Sequence, residues 1–237
     1  MFLRYPGGLT KALTFSYDDG VEQDMRLVKL LDDHGMKGTF NLNSGIQSRE
    51  NTWQNRDVLV RRMDPEVLPA LYAGHEVAAH TRTHPSLYKL SDEALAQEIR
   101  EDKLALERQF GRPVLGMAYP FGDCDARILM AVRDAGLLYG RRVQTTGGFR
   151  LPADPRAWDA TCHHNDERLM DLADAFLAPG EDLRLFYVWG HSYEFDVDRS
   201  WARMEDFCAK VGRRDDVWYA TNGEIVTWML QNHLIQP

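Results

Sequence analysis

Two rhythms take turns along this chain. Short runs rich in apolar and β-branched residues alternate with segments whose apolar positions recur every three or four residues, the marks of buried strands and one-sided helices. The runs predict strands at 11–16, 38–42, 76–79, 114–119, 137–143, 157–162, 183–189 and 217–221. Run 183–189 is almost continuously apolar, as a parallel strand covered on both faces would be. The helical rhythm places Met25, Val28 and Leu31 on one face of a helix stopped by Gly35, and Leu95, Ile99, Leu106 and Phe110 on one face of a longer helix stopped at Gly111. Further helices are expected from Asp64-Pro65 (short or bent, because of Pro69), up to Asp134, after Asp166, over 198–211 and over 224–233. The polar segment 47–62, with Trp53 inside it, fits neither rhythm and reads as a long loop or insertion.

Strands alternating with helices imply a parallel sheet, either an open doubly wound sheet or a barrel. The polar residues favour the barrel. Asp18 and Asp19, His80, Pro120-Phe121, Trp158-Asp159, His191 and Asn222 all fall at the C-terminal ends of predicted strands, which a barrel gathers at one mouth. The expectation is therefore an α/β chain folded as a distorted, TIM-barrel-like (β/α) barrel of seven to eight parallel strands. It would form one domain over residues 1–237, with an insertion at 46–63.

Composition narrows the function. A length of 237 residues gives room for a large core, and a net charge of -8 argues against nucleic acid or an anionic membrane as partner. The three cysteines are too few and too scattered for a disulfide framework or a Cys-rich zinc site. No run is long enough for a membrane span or a signal peptide, so a cytoplasmic protein is the default expectation. The oligomeric state has no signature in the sequence.

The chemistry gathers at four places. Asp18-Asp19-Gly20 ends the first strand, where adjacent side chains diverge, so that one carboxylate can bind a metal while the other acts as a base; the alternative is an ordinary helix cap. His80 and His84 lie four apart after the third strand, a spacing that zinc sites use. Two imidazoles and one carboxylate make a three-ligand set with an open fourth position, the catalytic rather than the structural arrangement. Tyr119-Pro120-Phe121-Gly122 ends the fourth strand and is either a plain turn or a wall whose N–H groups face a developing oxyanion. His191 closes the apolar run, as a core histidine or as a general acid.

In this order, the four elements resemble the polysaccharide deacetylase family, built on the NodB homology domain and known as carbohydrate esterase family 4. The resemblance runs from about Leu13 to Thr227 and rests on Thr14-Phe15-Ser16-Tyr17-Asp18-Asp19-Gly20, His80-Thr81-Arg82-Thr83-His84 and His191. It implies a distorted barrel of seven strands, Asp18 as catalytic base, His191 as general acid, and Asp19, His80 and His84 as ligands of one divalent metal ion. Zinc is the first choice, with cobalt, nickel or manganese able to take the same donors. It also implies an oxyanion donor at the Phe121 N–H beside Tyr119, and an apolar wall for which Trp158 is the best candidate. The activity implied is hydrolysis of an acetyl or related acyl group from an N-acetylated sugar or polysaccharide, at an amide or an ester. Two alternatives stay open: hydrolysis of a small-molecule amide, formamide or cyclic amide on the same centre, and a carbohydrate-binding domain without catalysis.

The chain departs from the family pattern in two places. Ala118 stands where the family usually carries an arginine paired with the base. The aspartate-and-tryptophan motif is met only loosely by residues 154–159, leaving Asp154 or Asp159 as the candidate supporting carboxylate. The run Cys162-His163-His164-Asn165-Asp166 has two readings: a partner for His191 or the substrate, or a polar helix start capped by Asp166.

Overall fold

Strand β1 (Lys11–Asp18) is buried along its whole length and sets the plan of the molecule. In the computed structural model, which describes residues 3–236, it is followed by α1 (Asp24–Asp33), β2 (Thr39–Leu42), β3 (Thr52–Asn55), β4 (Val58–Arg61), α2 (Leu68–Leu71) and β5 (Glu76–Ala79). Then come α3 (Asp92–Phe110), β6 (Gly116–Ala118), α4 (Ala126–Asp134), β7 (Tyr139–Thr145), β8 (Trp158–Ala160), β9 (Cys162–His163) and α5 (Leu169–Leu177). The chain closes with β10 (Arg184–Gly190), α6 (Glu194–Val197), α7 (Trp201–Val211), β11 (Val217–Tyr219) and α8 (Asn222–Gln231).

Nine strands form one parallel sheet in the order β8-β7-β6-β5-β2-β1-β10-β9, with β11 beside β1. One edge of β1 is taken along its length by β10; the other is shared, by β11 at Lys11–Leu13 and by β2 at Ser16–Asp18. The outermost strands β8 and β9 are consecutive pieces of one segment, so the sheet curls back on itself as a distorted barrel. At the seam no ladder is continuous. Thr161 bridges it instead: its N–H donates to the Tyr187 carbonyl at 2.8 Å, and its hydroxyl accepts the Tyr187 N–H at 3.0 Å. The expected strand 157–162 is thus split where the chain changes partner.

Helices cover the outside, and the larger apolar cluster lies between them and the sheet, built on Leu13, Phe15, Leu31, Phe40, Ile99, Leu106, Phe186 and Phe207. A second cluster joins the barrel interior to α8 through Trp158, Tyr187 and Trp228. The α8 start is a complete capping box: the Thr221 hydroxyl accepts the Glu224 N–H, and the Glu224 carboxylate accepts the Thr221 N–H. Among the described residues, no helix is long and apolar enough to cross a membrane.

Several expectations need correction: Met25 is exposed rather than on the buried face of α1, and α2 begins at Leu68 rather than at Asp64-Pro65. Segment 47–62 is not a bare loop: β3 and β4 form an antiparallel hairpin, pinned by buried Val60 and Arg62. Helix 198–211 begins only at Trp201, because α6 ends at Val197 and Arg199 takes a positive φ of 53°.

Glycines let the interior close. A Cβ on Gly140 would stand 2.4 Å from the Tyr119 hydroxyl, and one on Gly116 would stand 2.3 Å from the Tyr139 ring. Tyr119 leads into Pro120-Phe121, so this contact sets one wall of the barrel mouth. Gly140→Ala is expected to cost about 1–3 kcal/mol through overpacking, seen as a lower urea midpoint with an unchanged slope.

Candidate active site

Five polar side chains from three strand ends meet at the mouth. Asp18 is the last residue of β1, and Asp19 follows it with φ 84°, a left-handed turn that throws the two carboxylates apart. His80 follows β5; its N–H bonds both the Leu42 carbonyl and a buried carboxylate of Asp102, at 2.9 Å each. Thr81 and His84 take positive φ of 62° and 58°, so the His-x-x-x-His segment is a tight loop rather than a helix turn. Its rings converge, with the His80 and His84 centroids 4.7 Å apart. His191 follows β10.

Donor atoms of Asp19, His80 and His84 lie within 4.8 Å of one another. The set suits a cation. His80 Nδ1 donates to the Ala118 carbonyl at 2.8 Å, which leaves the lone pair of Nε2 for the pocket. Burial holds both imidazoles below their ordinary pKa, His80 at about 4, so both are neutral near pH 7, the form in which an imidazole can bind a metal. Arg62, delivered by the end of the hairpin, donates to Asp19 Oδ1 at 2.9 Å and to the Asp19 carbonyl at 2.5 Å. It fixes that carboxylate while the other oxygen remains for a metal.

Asp18 is held apart from that set. Asn41 of β2 donates to its Oδ1 at 2.8 Å, and Arg141 of β7 pairs with its Oδ2. Burial would raise its pKa, but Arg141, His80 and His191 outweigh burial and bring it to about 2. Arg141 has no solvent exposure and lies with its guanidinium 4.3 Å from the Trp189 ring centre. It stands opposite Ala118 in the β6–β7 register, so the small side chain at 118 leaves room for the guanidinium from the next strand. The arginine missing from position 118 has a spatial substitute.

His191 Nε2 lies 3.8 Å from Asp18 Oδ2, and its Nδ1 faces Glu194 Oε1 at 3.4 Å. Glu194 also accepts the His191 N–H at 3.1 Å and sits 3.1 Å from His163 Nε2. Burial opposes charge on His191, yet the Glu194 hydrogen bond and the Asp18 and Glu194 charges raise it to about 9. Asn165 N–H donates to His163 Nδ1, which leaves the His163 proton on Nε2, aimed at Glu194. The carboxylate behind His191 is therefore neither Asp154, which caps the turn at Arg156, nor Asp159, which pairs with Arg142. Glu194 stands only three residues after His191, and that spacing was the available signal. Asp166 accepts the Arg168 N–H just before α5, and His164 is buried between Tyr17 and Phe195.

The cavity over these groups has a volume of about 430 Å³, and Trp53, Phe121, Val143, Trp189 and Tyr193 are among its walls. Phe121 takes φ 58° and exposes its ring against His84, 4.8 Å away. The buried Tyr119 ring also reaches the lining, with its hydroxyl bonded to the Arg156 carbonyl. Trp158 does not form the apolar wall: it points into the core between Tyr139 and Tyr187, because β8 turns that face inward. Trp53 and Trp189 line the cavity instead. A cavity of about 480 Å³ at the other end of the sheet, lined by Lys37, Glu76, Arg112 and Trp218, lies away from these groups.

Residues 6–140 match the family model described as polysaccharide deacetylase. No curated protein matches the chain. Among solved structures it is similar to a putative polysaccharide deacetylase from Mycobacterium smegmatis, 17% identical with a TM-score of 0.68 over 98% of this chain and 94% of that one. It is also similar to the chitin deacetylase of the fungal pathogen Colletotrichum lindemuthianum, 21% identical with a TM-score of 0.60 over 91% and 88%. A Streptococcus pyogenes deacetylase in complex with acetate is 19% identical with a TM-score of 0.48; the match covers 55% of each chain, so this chain spans about half of that protein. At these identities the likeness concerns the fold.

If Arg141 is what holds Asp18, Arg141→Ala leaves a buried carboxylate without its partner. The expected loss is about 3–5 kcal/mol in urea unfolding at neutral pH, with partial recovery when Ala118→Arg is added. A loss below about 1 kcal/mol, the range of exposed pairs, would contradict the pairing.

Proposed function

The chain belongs to the polysaccharide deacetylase family, and from that premise we propose that it is a metal-dependent hydrolase that removes an acetyl group from an N-acetylated sugar. One observation carries the reading: a converging Asp19–His80–His84 donor set stands beside an acid that is buried, ionised and outside the set. A divalent ion held by those three residues, zinc by first choice, would supply Lewis acidity, polarising the acyl carbonyl and acidifying water.

The remaining chemistry belongs to the chain. Asp18 Oδ2 faces both His80 Nε2 and His191 Nε2 at 3.8 Å, so it is placed to take a proton from attacking water between them. Arg141 keeps it ionised and fixes its direction. His191, kept protonated by Glu194, gives a proton to the departing nitrogen. The Phe121 N–H, held at the mouth by the turn that Gly122 permits, is the proposed donor to the oxyanion. Gly122 has φ 77°, and a Cβ there would meet Val143 at 2.4 Å. Base and acid thus carry their required charges together at neutral pH.

Asp18→Asn is expected to keep its metal and lower acetate release from N-acetylated oligosaccharides by about 100- to 10,000-fold; near-native turnover would overturn the role. Asp19→Ala should instead lose metal, as read by elemental analysis. The protonated acid is needed, and its pKa is raised, so kcat/KM should fall as pH rises through the His191 pKa. Glu194→Gln removes the group that raises it, and the alkaline limb should move down by about one to three pH units.

A further inference from the structure

One side of the cavity is closed by a continuous arc of side chains. Asp19 is bonded to Arg62; the Arg62 guanidinium lies 5.2 Å from the Trp53 ring centre; Trp53 meets Tyr193 edge-on at 5.6 Å; Tyr193 lies 5.3 Å from His191. The arc runs from a member of the metal set to the general acid, and all its members line the cavity. Across from it Phe121 is 65% exposed, so the mouth is open there.

The middle of the arc is the β3–β4 hairpin. An isolated two-stranded hairpin is marginal in water, and this one is anchored at both ends. Its base is held by buried Val60 and Arg62. Its tip, where Arg56 takes φ 51°, is tied to the turn after α6 by two crossed ion pairs, Arg56–Asp198 at 2.7 Å and Asp57–Arg199 at 3.5 Å. Asn165 donates to the other Asp198 oxygen at 2.7 Å, so the receiving turn is itself fixed. Each exposed pair is weak alone; together with Trp53 on Tyr193 they hold the hairpin against the mouth.

We propose that this hairpin makes the site selective for the terminal acetylated sugar of a chain, or for a free one, and excludes sugars inside a polymer. This deepens the deacetylase reading and rests on it. The departing nitrogen belongs to the sugar and must reach His191, so the sugar ring lies beside Tyr193 and Trp53. A ring inside a polymer carries a linkage on each side and needs a groove open at both ends. Here one end is walled by the aromatic side chains of Trp53 and Tyr193. The cavity volume lies toward the lower end of the roughly 300–1,000 Å³ of small-molecule sites.

The test compares wild type with Trp53→Ala and with the tip variant Arg56→Glu/Asp57→Arg. Acetate release is measured on N-acetylglucosamine oligomers from monomer to hexamer, with the deacetylated position read by mass spectrometry and metal content by elemental analysis. Wild type should act at the end unit alone, and kcat/KM should not rise with length. Trp53→Ala should raise the hexamer-to-dimer ratio about tenfold and open internal positions, at unchanged metal content. Internal deacetylation by wild type, or an unmoved ratio in Trp53→Ala, overturns the proposal.

Hydrogen exchange over residues 52–61 tests the wall without turnover. These amides should be protected in wild type and exchange faster in both variants; rapid exchange in wild type overturns the wall. If no form releases acetate from any sugar, the deacetylase reading and the substrate selectivity fall together, while protected exchange still identifies a fixed wall.

Discussion

A carboxylate with almost no access to water, paired with a guanidinium from across the barrel, is the constraint on which the rest depends. Asp18 ends β1 and Arg141 sits in β7, with β2, β5 and β6 between them in the sheet order. A flat sheet would hold these strands apart. The pair forms because the sheet curls, and a buried charge of either sign without its partner would be strongly destabilising. Asn41, reached from the neighbouring strand, fixes the other oxygen. The acid's direction is thereby set, and the imidazoles on either side are arranged around it.

Burial alone does not decide what a carboxylate becomes here. Asp24 and Asp102 are as buried as Asp18, yet burial raises both to about 7, because their partners are hydroxyl and N–H groups rather than guanidinium. Asp24 joins Tyr72 to Ser192, the residue after His191, and Asp102 joins Ser44 to His80. Both brace loops that carry site residues. Asp18 and Glu194, each facing cationic groups, stay ionised. The same side-chain chemistry is thus pushed toward the neutral or held in the ionised form according to its neighbours.

Much of this was legible in the sequence. Apolar runs placed the eight strand regions, and polar residues at their C-terminal ends pointed to one mouth. The histidine pair and the acid pair could be read because each lies within a few residues. What escaped depends on contacts between distant segments. Arg141 could be connected to Asp18 only through the β6–β7 register, and nothing local marks it. The hairpin was hidden because β3 alternates exposed and half-buried polar residues around Trp53, and the apolar run Val58-Leu59-Val60 of β4 is only three residues long. Trp158 was placed on the wrong side because a run that changes partner at Thr161 does not announce which face its tryptophan takes.

The exchange of positions between 118 and 141 has a consequence for classifying such chains. A guanidinium's task is defined by the point in space it reaches, and two laterally adjacent backbone sites can reach the same point. A reader who scored this chain by one column of a motif would miss the guanidinium beside Asp18. A reader who scored it by what surrounds that carboxylate would not.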